Sequence, residues 1–190
     1  MRRCAATCLL GLLFVGSPEA LAASFTLDPQ QRTDAIRVGA RSVTQEVFDA
    51  EWRVANPSGD SVIVLTPFHR LVIAARQAAF KNEALKPDEP EKLLKAQEDR
   101  LVILAQLRGP REDFARFYAP LLVAGSLEIT PAFVQNERTA ARTEGGAYLA
   151  RCTYRFPTKD LTASSRVLLV IRDADGRDVS SFTIDLASMR

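Results

Sequence analysis

In 190 residues the chain has one histidine, one tryptophan and three cysteines, and two of the cysteines fall within the first eight positions. The scarcity of histidine narrows the chemistry at once. A catalytic zinc site takes three protein ligands, commonly including histidines, so beside His69 only carboxylates and Cys152 could complete a set. No G-x-S-x-G elbow occurs to supply the nucleophile of a Ser-His-Asp system. Nor is there a glycine-rich turn ahead of a helix to cradle phosphate: Gly145 and Gly146 precede a strand pattern, and Gly109 precedes Pro110. No catalytic residue, metal or cofactor is therefore expected.

Charge of one sign is missing too. The 25 basic and 23 acidic residues nearly cancel, which argues against nucleic acid or an acidic membrane surface as the main partner. A bilayer-spanning run of roughly 20 apolar residues is also absent. The short run Leu9–Val15 instead follows Arg2 and Arg3 and precedes Pro18 and Ala20-Leu21-Ala22, so Met1–Ala23 reads as a Sec-type signal peptide. Neither twin-arginine export nor a lipid anchor on Cys4 or Cys8 fits the flanking residues. Cleavage leaves about 167 residues, the size of a single domain, here 24–190. It also leaves Cys152 as the sole cysteine, so no intramolecular disulfide can form. Cys152 alternates with Tyr148, Ala150, Tyr154 and Phe156, which places the thiol inward as a small hydrophobe.

What is present centres on Thr66–Lys81. Thr66 is an N-cap and Pro67 suits the first helical position. At about 100° per residue, Phe68, Leu71, Val72, Ala75 and Ala79 share one stripe, with Arg70, Gln77 and Lys81 opposite. His69, Ile73, Arg76 and Phe80 form a flanking stripe that needs cover. The expected cover is a second helix, opened by Asp88 with Glu91 as a capping pair. The result is a helical hairpin, 67–82 and 89–98, inserted around 67–98.

The remaining pattern is β. Thr33–Ala40 reads as an edge strand, and Val47–Ala55 as a strand with Phe48, Ala50, Trp52 and Val54 on its dry face. Asn56–Asp60 is a turn into the strand Ser61–Leu65. Arg100–Leu107 is apolar on both faces and should be central, with helices over Val102 and Leu104. Arg111–Tyr118 suggests a helical turn or two bringing Phe114 and Phe117 together. One or two strands follow in 121–134, with Leu127 and Ile129 inward, then a loop over 135–146 and a long strand over 147–156. Arg151 and Arg155 lie on its outer face, where they could pair with Asp49 and Glu51 if those two strands are neighbours. Strands at 167–172 and 179–186 close a hairpin around Asp173–Asp178, which reads as a turn because Ile184 stands where a calcium loop needs its bidentate glutamate.

About seven to eight short strands spaced by turns point to a mainly β fold, an immunoglobulin-like β-sandwich with an inserted helical hairpin. The alternative is an α+β fold with one mixed sheet, taking 61–107 as a crossover unit. The expected function is an exported, non-catalytic binding or scaffold domain, periplasmic or secreted, whose partner is an envelope or extracellular protein. Its binding residues would be His69, Arg70 and Arg76 on the exposed side of the hairpin. A small secreted hydrolase would need two converging carboxylates, and a carrier of an apolar ligand would need a cavity beneath Leu71, Ala75 and Leu101.

Overall fold

The computed structural model describes residues 25–190, so the expected signal peptide over 1–23 lies outside the described residues. Along the chain come α1 (Pro29–Arg41), β1 (Arg53–Ala55), β2 (Ser61–Leu65), α2 (Pro67–Phe80) and α3 (Glu89–Gln97). Then follow β3 (Arg100–Gly109), β4 (Ala119–Ala124), β5 (Leu127–Ile129), β6 (Phe133–Gln135) and β7 (Ala141–Arg142). The chain finishes with β8 (Tyr148–Pro157), β9 (Arg166–Arg172) and β10 (Asp178–Asp185).

The protein is mainly β, with ten strands in two antiparallel sheets and three helices among the described residues. One sheet runs β1-β2-β3-β8-β6, with β7 also paired to β8, and the other runs β10-β9-β4-β5. Period-two alternation decides what faces inward. β3 buries Leu101, Ile103, Ala105 and Leu107, and β8 buries Ala150, Cys152, Tyr154 and Phe156. Leu169, Ile171, Phe182 and Ile184 from the other sheet join the same core cluster. Burying each large apolar side chain is worth roughly 1.5–3 kcal/mol, more than the whole β-propensity scale of about 1 kcal/mol, so the pattern fixes the register. β3 is central, as its two apolar faces imply, with Ile103 opposite both Val64 and Tyr154.

The mixed-sheet alternative fails on one observation. β2 and β3, which flank α2 and α3, pair antiparallel, Val62 opposite Ala105, so 61–107 is not a crossover unit. Thr33–Ala40 is also not a strand, because it lies within α1. Asp28 caps that helix in a reciprocal box: its carboxylate accepts from Gln31 N–H at 2.8 Å, and Gln31 Oε1 accepts from Asp28 N–H at 3.0 Å. Of Val47–Ala55 only the last three residues pair as β1; Ala50–Trp52 is a 3-10 turn that folds Trp52 into the core.

The helical pair forms at its expected place, but the close partner of α2 is α1. At Gly39 the helices approach so tightly that an added Cβ would lie 2.4 Å from the Val72 carbonyl oxygen and 2.7 Å from Ala75 Cβ. Asp88 makes no capping bond and pairs instead with Lys92. The expected cover over Val102 and Leu104 is partial, and both stay half-buried.

Elsewhere the differences are local. Leu127 points outward, 44% exposed, while Ile129 is buried. Phe114 and Phe117 do not meet: Phe114 packs edge-on against Tyr118 at 5.7 Å, and Phe117 is exposed beneath Arg116. The 135–146 segment contains β7, so it is not wholly loop. At the final hairpin, Asp173 accepts from the N–H groups of Asp175 and Arg177, and Gly176 takes a φ of 78° that its lack of a Cβ permits.

Candidate binding surface

The three expected binding residues sit on one helix and do three different things. His69 is in the core, 1% exposed, and not on the surface. Its backbone N–H donates to the Thr66 cap hydroxyl at 3.1 Å. Its ring stacks on Trp52, with centroids 4.1 Å apart and planes 5° from parallel. Nδ1 lies 3.1 Å from the Val64 carbonyl oxygen, which can only accept, so Nδ1 carries the proton. Nε2 is buried without a partner. Burial pushes the imidazole pKa down to about 4, against the opposing pull of the Val64 bond and of Asp49 and Glu51. A neutral ring packed this way holds the start of α2 against the sheet. The amphipathic pattern put His69 on the flanking stripe but gave no sign that Trp52 would cover it.

Arg76 is also engaged. Its guanidinium donates to the Ser42 and Gln45 carbonyls, the latter at 2.9 Å, and lies over the Phe48 ring at 4.2 Å. It clamps α2 to the segment after α1. Beside it Ile73 and Phe80 line a shallow depression of about 310 Å³. Phe80 is 76% exposed there, so neither α1 nor α3 covers that end of the stripe.

Arg70 opens onto a groove of mixed polar and apolar lining, about 410 Å³ in volume, between α3 and the outward face of the larger sheet. Val102 and Leu104 of β3 form an apolar floor beside Thr153, and Leu93 and Ala96 of α3 form a wall. Arg100 and Arg155 join Arg70 around it. Among the described residues none of these three guanidinium groups has a carboxylate partner, and no acidic residue lines the groove.

The acids expected opposite Arg151 and Arg155 are committed elsewhere. Asp49 pairs with Arg53 at 2.6 Å, and Glu51 pairs with Arg190 at 2.7 Å. Arg155 instead stacks over Phe133 at 4.3 Å. That contact occupies one face of the guanidinium and leaves its N–H edge open.

Gln97 ends α3 and also lines the groove. It is 6% exposed; Nε2 donates to the Leu65 carbonyl, and Oε1 is buried with no partner. Because a carbonyl cannot donate, the amide cannot flip, and the orphaned atom is an acceptor. Nothing in the spacing of the sequence points to Gln97, whose role depends on where α3 meets the end of β2.

The other chemistries find less. Asp60, a buried carboxylate, accepts from Arg108 N–H at 2.8 Å and from Ser180 Oγ at 2.8 Å, and serves the fold. Asp173, at the exposed hairpin, is held below the usual carboxylate range by the N–H of Arg177. Among the described residues no three His, Cys, Asp or Glu side chains group as metal ligands. Burial raises the Cys152 thiol pKa, so it is a poor nucleophile. Leu71 and Leu101 are packed in the core and α1 presses on Ala75, so the space expected for an apolar ligand is filled. No helix among the described residues is long and apolar enough to cross a membrane.

No family model matches this chain, and no curated protein matches it. It is similar to the crystal structure of a novel protein of unknown function from Burkholderia pseudomallei K96243, with 10% sequence identity and a TM-score of 0.43. That alignment covers 85% of this chain and 91% of the other.

Proposed function

We propose that the chain is an exported, non-catalytic binding or scaffold domain of immunoglobulin-like sandwich type, acting in the cell envelope or outside the cell. The observation that carries the binding reading is the groove rimmed by Arg70, Arg100 and Arg155, with an apolar floor and no acid of its own. Unpaired guanidinium groups around an apolar surface suit a partner of opposite charge, because Arg presents a fork of donors to carboxylates. Two antiparallel sheets around one core support the sandwich description. The basic, apolar and small-residue segments of 1–23 support export, and hence a periplasmic or secreted location.

The test is mild crosslinking of the tagged full chain in its native envelope, followed by affinity recovery and mass spectrometry, with fractionation to locate it. One partner in stoichiometric yield is expected, lost when Arg70 and Arg155 are both changed to Glu and retained when Gln77 is changed to Ala. A wild-type chain that recovers nothing beyond an unrelated tagged exported domain refutes the reading.

A further inference from the structure

We infer that the groove between α3 and the outward face of β3 and β8 takes an extended acidic peptide segment of a partner protein. The segment sets carboxylates against Arg70 and Arg155 and apolar side chains against Val102 and Leu104. This names the ligand class of the site described above and rests on the binding reading.

Charge complementarity gives the first half. The groove brings together three guanidinium groups and no carboxylate, a one-signed surface in a chain whose total charge is nearly balanced. Arg155 is held in place by Phe133, so it loses less conformational freedom on binding than a free side chain would. Its open edge matches a carboxylate with two parallel N–H bonds.

The apolar lining gives the second half. Val102, Leu104, Leu93 and Ala96 line the same groove as the three guanidinium groups. Phosphate dianion brings no apolar surface to them, and a fatty acid brings one carboxylate for three guanidinium groups. A peptide brings several side chains of each kind. In extended form its side chains alternate, so acidic residues facing the arginines would be interleaved with apolar residues facing Val102, Leu104 and Leu93.

The experiment uses the purified full chain and four probes. They are a capped peptide of alternating glutamate and leucine, the same peptide with glutamine for glutamate, the acidic peptide with serine for leucine, and dodecanoate. Anisotropy reads affinity, and the Gln97 side-chain amide signal in ¹H–¹⁵N spectra reads occupancy. The acidic peptide is expected to bind and shift the Gln97 signal. It should weaken about tenfold on losing a charge-assisted bond, in the glutamine peptide and in each of Arg70→Gln and Arg155→Gln. Serine in place of leucine, which removes the apolar side chains facing Val102 and Leu104, should weaken it as well.

Equal binding of acidic and glutamine peptides overturns the inference, as does binding indifferent to both arginine variants. Dodecanoate that displaces the peptide and shifts Gln97 as strongly overturns it in favour of a simple amphipathic anion. If the acidic peptide does not bind while the crosslinked partner still depends on Arg70 and Arg155, the peptide assignment falls and the binding reading stands. Circular dichroism of each variant confirms that it is folded.

Discussion

Replacing Gly39 by Ala sets two effects of opposite sign against each other. Gly39 lies within α1, and in an exposed helix the substitution would stabilise by about 1 kcal/mol, since Gly loses the most backbone freedom on folding. Here the new Cβ would meet the Val72 carbonyl oxygen at 2.4 Å, Ala75 Cβ at 2.7 Å and Arg76 N at 3.1 Å. Non-bonded carbon contacts are comfortable at roughly 3.5–4.0 Å, so the helices would have to part by about an ångström.

The opposing side has little room to yield. Two of the three atoms are backbone, Leu71 and Val72 are wedged into the core, and Arg76 is tied to the Ser42 and Gln45 carbonyls. Overpacking of this kind costs about 1–3 kcal/mol, and the clash here belongs at the upper end. The expected net effect is a loss of about 1–2 kcal/mol, or a Tm lower by roughly 2–8 °C for a domain of this size. Urea unfolding followed by Trp52 fluorescence and by far-ultraviolet circular dichroism measures it. Gly145→Ala, where an added Cβ meets nothing within 4 Å, is the control and should leave the midpoint within about 0.5 kcal/mol. A Gly39→Ala chain more stable than wild type would refute the helix crossing.

Two further outcomes follow from the same end of the molecule. The His69 pKa is lowered from 6.5 to about 4 in the fold, so the unfolded chain binds the extra proton first. Stability from this group is unaffected above pH 6.5 and falls as pH drops towards 4, by roughly 3 kcal/mol in all; urea midpoints against pH should show that slope in wild type and lack it in His69→Gln. Arg190 makes a forked pair with Glu51 at 2.7–3.1 Å and sits over Phe68 at 5.1 Å. With the two side chains 35% and 26% exposed, Glu51→Gln should cost only about 1 kcal/mol, less at high salt, and a melting temperature unchanged at low salt would show that the pair contributes nothing.

The β body was readable because each long strand records its own environment. Leu101, Ile103, Ala105 and Leu107 alternate, and whatever neighbours they find, that face must be dry. The Thr66-Pro67 start of α2 and the turns at 56–60 and 173–178 were readable for a similar reason, since each is a bond within a few residues. α1 carries an equally local signal that the strand reading of Thr33–Ala40 leaves out: Asp28-Pro29-Gln30-Gln31 is a capping box with proline at the first position. Ala35, Val38 and Gly39 give only a thin apolar stripe, because a helix that packs backbone to backbone through glycine needs little apolar bulk to do so.

The partners of charged and aromatic groups were not readable, and the groove depends on them. The outward positions of Val102, Leu104 and Arg155 follow from strand period alone. That Arg155 would remain without an acid does not, since it depends on which strands become neighbours. β2 and β3 separate β1 from β8, so Asp49 and Glu51, which precede β1, do not come beside Arg155; they pair with Arg53 and Arg190 instead. Trp52, folded in through a 3-10 turn to stack on His69, removes only His69 from the surface. A near-neutral total charge therefore does not predict a neutral surface here, because the acids are spent at one end of the sheet and the arginines are left along its outer face.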